Sequence, residues 1–288
     1  MNSFKKIFVN IIAICLVVIS CFGLTACKED VVKVQLNVSV YNYADEVKDF
    51  ETKKFNIDLY TYIAPKTVDA VVKYIKQGYY NDTFFYIIDG GDVDLPNQLM
   101  LGDLKVVDGQ IVQNDIKPTL KGEFEKGGRK GNNLTATKGA IGLWRTWTVT
   151  NQNNYDVADE SMNSGRATLF IPTSSISGYS DWMCIFGKAD ITSATNSATL
   201  TSLTNAFNTD RYKEYVIYFT GDYDSEKVNE NHGLTFNCVE KDPYNEDSIS
   251  DLHKSENGQL ACYNPYVIKV PVDAFGNITT KITSIKIK

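Results

Sequence analysis

The run at residues 55–88, FNIDLYTYIAPKTVDAVVKYIKQGYYNDTFFYII, limits the fold more than any other stretch. Phe55, Ile57 and Leu59 alternate with Asn56, Asp58 and Tyr60, the two-residue period of a half-buried strand. Pro65 suits the first turn of a helix, where its missing N–H is no loss. Val68, Val71, Val72 and Ile75 then recur at the spacing of one apolar helix face. Gly78 suits the end of that helix, and residues 84–88 form a second β-rich apolar run. The expectation is strand, short helix, strand in close succession.

Further short strands are predicted along the chain. Residues 31–40, VVKVQLNVSV, alternate, and 139–146, 167–171 and 183–188 are short apolar runs. Leu200, Leu203 and Phe207 share a helical spacing, so 197–207 predicts a second helix. Residues 209–264 are polar and rich in loop formers, with one evident strand at 215–219. Closing strands are expected at 266–272 and 278–287. No internal repeat or low-complexity tract is present. Many short strands with two helices predict a mainly β protein built as a closed antiparallel barrel.

The N-terminus reads as a targeting segment. Lys5 and Lys6 precede a mostly apolar stretch at 7–22, short for a membrane span. Leu24, Thr25, Ala26 and Cys27 then resemble a bacterial lipobox, in which Cys27 is lipidated and becomes the first mature residue. A plain signal peptide or an uncleaved anchor are the competing readings. Anchored this way, the protein is expected outside the cytoplasm, held to the cell membrane. The formal charge is −6 at pH 7, and losing Lys5 and Lys6 makes the mature chain more acidic. That balance argues against nucleic acid or anionic lipid as the main partner. Of the six cysteines, Cys184, Cys238 and Cys262 lie beyond the lipobox. Cys184 reads as a buried thiol, and Cys238 with Cys262 could pair in an oxidising exterior. The two histidines, His232 and His253, and the absence of CxxC or HxxxH spacing predict no metal site. Residues 89–94 read as a turn, since no glutamate closes a calcium loop there.

Several stretches resemble the cyclophilin family of peptidyl-prolyl isomerases. The run at 55–88 resembles the start of that fold. Lys121-Gly122-Glu123-Phe124 resembles the GEF segment of bacterial members, and GAIGLWRT at 139–146 resembles their G-x-I-x-M-A-R-T strand. SGRATLFI at 164–171 resembles the segment ending SQFFI, and Ile185-Phe186-Gly187-Lys188 resembles VFGK. These stretches occur in family order. The resemblance implies a closed antiparallel eight-stranded barrel with two capping helices, carrying an insertion before the last strands. The organisation expected is a leader at 1–26, a lipidated tether and first strand at 27–54, a core at 55–207, a polar insertion at 208–265 and closing strands at 266–288.

The resemblance also implies a chemistry. Rotation about an Xaa-Pro bond meets a barrier of roughly 18–20 kcal/mol set by amide resonance. Lowering it takes an apolar cup for the proline ring and donors aimed at the twisted amide, with no cofactor. The family motif FHRII supplies an arginine donor, and the matching residue here is Tyr86. The two family glutamines fall on Met100 and Thr168. The aromatic floor of the proline cup is kept as Phe170. Trp144 and Arg145 lie on a strand bordering the groove, the position of a family histidine or tyrosine falls on Met183, and a family tryptophan falls near Gly178 or Tyr179. Arg145 or Arg166 is a candidate to replace the missing guanidinium, against the plainer reading that both are structural or solvated charges. Trp144, Trp147 and Trp182 are either a peptide-binding aromatic patch or core. Losing a charged donor of this kind costs about 2.7–4 kcal/mol of transition-state stabilisation. The implied function is a weakened isomerase acting on proline-containing peptides or exported proteins. The alternative is a non-catalytic proline-peptide-binding or scaffolding module.

Overall fold

Two alternating strands open the fold where the sequence predicts strands, and the second begins at Phe50, five residues before the predicted run at 55–60. β1 (Val31–Tyr41) and β2 (Phe50–Tyr60) pair antiparallel from Val31 opposite Tyr60 to Tyr41 opposite Phe50. Val34, Leu36, Val38, Phe55, Ile57 and Leu59 turn inward and are buried. The computed structural model describes residues 30–41, 50–89, 98–125, 132–145, 163–207, 212–220, 235–241 and 263–288. Cys27, Trp147, Cys262, both histidines and most of the acidic turn at 89–94 lie outside these residues.

Helix α1 (Pro65–Lys76) places Val68, Val71, Tyr74 and Ile75 in the core. Gly78 ends it with φ of +72°, donating from its N–H to Ile75 O, while Tyr79 N–H reaches Tyr74 O. The start of α1 is capped from a distance. Ala64 offers no side-chain cap, and the Glu123 carboxylate accepts from the N–H groups of Lys66 and Thr67, at 3.3 and 2.8 Å. Glu123 is buried, and its own carbonyl accepts from the amide of Asn132. A carboxylate here meets unpaired N–H groups and the positive end of the helix dipole. Glu123→Ala should therefore lower stability by about 1–2 kcal/mol, read as a drop in the urea midpoint.

The main sheet has seven antiparallel strands. They are β13 (Thr280–Ile287), β1, β2, β9 (Cys184–Lys188), β7 (Ala140–Leu143), β8 (Leu169–Pro172) and β4 (Gln98–Leu101), in that spatial order. The sequence predicts a closed eight-stranded barrel; the regular strands form a curled sheet of seven. At the expected eighth position, residues 83–86 make single bridges, Phe84 to Lys281 of β13 and Tyr86 to Met100 of β4. The physical reason is that this run serves two sheets. Its next residues, β3 (Ile87–Asp89), leave the curl and pair with β12 (Tyr263–Pro271).

That second sheet has the order β11 (Thr235–Glu240), β10 (Tyr212–Thr220), β12, β3. Of the two late strands, β13 joins β1, whereas β12 joins β10 and β3. A two-stranded ribbon, β5 (Leu104–Val107) with β6 (Gln110–Gln113), follows β4. One short helical turn, α2 (Tyr179–Trp182), precedes β9, and α3 (Ala194–Phe207) packs against β2.

Strands β4, β7 and β8 are buried at every residue. Successive side chains of a strand face opposite ways, so both faces of this part of the sheet are covered. Leu99, Leu101, Ile141, Leu143, Leu169, Ile171 and Phe186 join the interior core with α1 and α3. Their neighbours Met100, Ala140, Phe170 and Ile185 join a second core, together with Ile217, Ile268 and Val270 of the second sheet.

Candidate functional site

Of the residues that the sequence singles out, Tyr86, Met100, Phe170 and Met183 come together on the outer face of the main sheet, with Trp144 and Tyr179 packed against them. Met100 lies opposite Phe170 in the β4–β8 register, and Gly142 of β7 lies opposite Phe170 on its other side. Tyr86 exchanges both backbone hydrogen bonds with Met100, at 3.1 and 2.8 Å. Three adjacent rungs thus hold Tyr86, Met100 and Phe170 side by side. Gly142 is what lets the Phe170 ring lie flat: a Cβ there would sit 2.2 Å from the ring's Cζ.

This face is not open. Phe170 has 0 % of its surface exposed, Met100 and Met183 also 0 %, and Tyr86 1 %. The Phe170 ring meets Trp144 at 6.2 Å and Tyr179 at 5.8 Å between centroids, both edge-on. Such T-shaped pairs satisfy the ring quadrupoles and add about 0.5–1.5 kcal/mol each beyond area burial. Trp144 and Tyr179 themselves are half-buried. Tyr179 is held by the one-turn helix α2, whose closing N–H, from Met183, reaches Tyr179 O at 2.7 Å. Tyr215, Phe236, Cys238 and Tyr266 of the second sheet pack onto the same cluster.

The polar groups are turned to other tasks. The Tyr86 hydroxyl donates to both carboxylate oxygens of Asp103, at 2.8 and 2.9 Å. Burial, then the negative charge of Asp103, holds the Tyr86 phenol well above its ordinary range, so it stays a neutral donor. Burial also pushes the Asp103 carboxyl up to about 6, against the Tyr86 hydrogen bond, which pulls it down. Thr168 is half-buried, and its carbonyl accepts from Trp144 N–H at 2.8 Å.

Both candidate replacement arginines are engaged elsewhere. Arg145 is buried; its Nε donates to Trp182 O, and its guanidinium lies 5.3 Å from the Phe124 ring centroid and 5.9 Å from that of Trp182. These cation–π contacts tie the segment just after β7 to α2 and to the loop carrying Glu123. Arg166 donates from Nη1 to Lys117 O at 2.7 Å, near Tyr74 of α1. Neither contact is with Tyr86, Met100 or Phe170.

Asp103 escapes sequence reasoning as a partner of Tyr86, because seventeen positions separate them and only the turn after β4 brings them together. Among the described residues, no group of three or more His, Cys, Asp or Glu is arranged to hold a metal ion, and no helix is long and apolar enough to cross a membrane. The interior of the curl holds an apolar void of about 20 Å³ lined by residues such as Val34, Val71 and Leu169. It is room for roughly one water and is separate from the Phe170 cluster.

A curled antiparallel sheet with helices α1 and α3 and an aromatic-floored outer face defines a cyclophilin-like fold. The family model described as cyclophilin type peptidyl-prolyl cis-trans isomerase/CLD matches residues 47–188, and that stretch is a cyclophilin-type domain. Among solved structures, a Cryptosporidium parvum cyclophilin type peptidyl-prolyl cis-trans isomerase is 14% identical over 74% of this chain and 98% of its own, with a TM-score of 0.39. The same protein in the presence of the dipeptide Ala-Pro is 16% identical over 73% and 99%, with a TM-score of 0.38. No curated protein matches the chain.

Proposed function

We propose that this protein is an extracytoplasmic lipoprotein, held at the membrane through Cys27, whose cyclophilin-type domain is a non-catalytic scaffolding module for exported proteins. The observation that carries this reading is the complete burial of Phe170 beneath Trp144 and Tyr179. Isomerisation needs a proline ring on that floor and a donor directed at the amide nitrogen. Here the floor is covered, and the side chain at the donor position points its hydroxyl at Asp103. The lipid anchor rests on the order of basic residues, apolar run and Cys27 in the leader.

The test is cis–trans exchange in a short Ala-Pro peptide, followed by NMR at substoichiometric protein. The expected result is an exchange rate equal to that of the peptide alone. Line broadening between the cis and trans signals would overturn the reading. In a companion arm, Cys27→Ser is expected to move the protein from the membrane fraction to the soluble fraction.

One observation favours a second reading, a weak isomerase: the floor itself is intact, with Gly142 still making room for the Phe170 ring. In that case the loss is about 10²–10³ in rate, the usual effect of removing one transition-state donor. Tyr86→Arg then restores activity, whereas under the scaffold reading the folded variant stays inactive because Phe170 remains covered.

A further inference from the structure

We propose that Gln98 is the ligand-binding side chain of the outer face, and that its carboxamide takes the backbone of an extended peptide segment through a pair of hydrogen bonds. The proposal rests on the scaffold reading above and names the group by which an exported partner is held.

Gln98 opens β4, two residues before Met100. Alternate side chains of a strand share a face. Gln98 therefore lies on the outer face with Met100 and Phe170, while Leu99 and Leu101 join the interior core. It has 3 % of its surface exposed. Neither Nε2 nor Oε1 has a hydrogen-bond partner among the described residues. A carboxamide carries two donors and one acceptor oxygen, and burying them unpaired destabilises a fold. Such a group in a native structure calls for a reason.

The surroundings offer the amide little. Directly across on β8 stands Pro172, whose ring has no polar atom to give. Met100, Phe170 and Met183 on this face are apolar. One polar group comes near, the Tyr179 hydroxyl. Burial raises its phenol to about 12, and the Gln98 amide works against that rise. The phenol thus senses the amide, but their geometry falls short of a hydrogen bond.

Gln98 also lies at a fork between the sheets. β4 ends the seven-stranded order. The segment beside it makes one rung, Tyr86 to Met100, and its next residues turn away as β3 to pair with β12. Tyr179 is half-buried and follows Gly178, which holds a φ of +82° with open space where a Cβ would sit. A ligand that displaces the Tyr179 hydroxyl meets the amide next.

The chemistry selects the ligand. The Gln98 amide can donate and accept at once along one edge, so its complement is a C=O beside an N–H. One residue of an extended chain presents both groups on the same side, as in a hydrogen-bonded strand pair. A nucleobase edge offers the same complement, but a chain of formal charge −6 repels the phosphates that come with it.

The test uses the full chain and two ligands. One is a blocked Ala-Pro-Ala-Ala peptide; the other is the same sequence with ester oxygen in place of each backbone N–H. In the natural protein, the peptide should move the NMR signals of the Gln98 side-chain amide, and the ester form should bind about tenfold more weakly. Gln98→Met is close in volume and removes the unpaired polar atoms. It should raise the urea midpoint, bind the peptide about tenfold more weakly, and no longer distinguish peptide from ester. A raised midpoint with unchanged binding overturns the proposal, because the amide is then only an unpaired leftover. A lowered midpoint, or a variant that does not fold, overturns it too, because the amide then serves the fold. Amide signals that stay still on adding peptide to the natural protein overturn it without any variant. Catalysed exchange in the Ala-Pro assay would undo the scaffold reading and leave these binding ratios standing, so the two failures are distinguishable.

Discussion

Phe170→Ala should destabilise the protein by about 3–5 kcal/mol, the range for deleting a fully buried phenylalanine. The size is diagnostic. On an open groove, the ring would already meet water on one side, and its loss would remove little packing. Here the ring has 0 % exposure, is flanked edge-on by Trp144 and Tyr179, and shares a cluster with the second sheet. Truncation leaves a cavity that three strands and the aromatic neighbours cannot fill without leaving their registers. Equilibrium unfolding in urea measures it, as a lower midpoint at an unchanged slope. A loss below about 1 kcal/mol would mean that the ring is exposed in solution and the outer face is open.

The second large effect is expected at Gly142. An alanine Cβ at this position would lie 2.2 and 2.3 Å from Cζ and Cε1 of Phe170 and 3.0 Å from Cδ1 of Ile185. Phe170 is hemmed in by Trp144 and Tyr179, so the ring cannot simply rotate clear. Gly142→Ala should therefore cost about 1–3 kcal/mol through overpacking. The two positions face each other across the β7–β8 register, so they must be coupled. With Phe170 cut back to alanine, the new methyl enters the space the ring has left. The double variant should be more stable than the two single losses predict, by about 0.5–3 kcal/mol. Strict additivity would show that the two side chains do not touch.

Much of the main sheet was legible because its local signals agree with one another. Pro65, the Val68–Val71–Ile75 face and Gly78 mark α1 at both ends, and the alternation of Phe55, Ile57 and Leu59 marks the inward face of β2. The grouping of Tyr86, Met100 and Phe170 was also legible, because the family motifs fall on strands that prove to be adjacent. The cover was not. Residues 209–264 read as polar and loop-rich, yet Tyr215 and Ile217 of β10 face the barrel while Glu214 carries charge on the other side. Glu214 pairs there with Lys241, and Lys269 lies 3.7 Å away, so charged positions dilute the apolar signal of these strands. A signal did exist in the core strands. Runs such as Met183-Cys184-Ile185-Phe186 and Leu169-Phe170-Ile171 are apolar at consecutive positions, which a sheet wet on one side would not need.

The long-range polar contacts have no sequence signature at all. Glu123 reaches the N–H groups of α1 across more than fifty positions. It sits in a motif that the sequence flags by resemblance, but the motif does not reveal its task.

The pairing of β1 with β13 carries a consequence for how the chain is made. Asn37 and Ser284 touch, yet they are 247 positions apart. The ribosome must deliver both sheets and all the intervening loops before β1 gains its outer neighbour. Until then, the nascent protein presents an eleven-residue strand with one bare hydrogen-bonding rim, a template for stray pairing with other chains. This is where a cellular holding factor would matter most, and where a truncated product would aggregate rather than assemble.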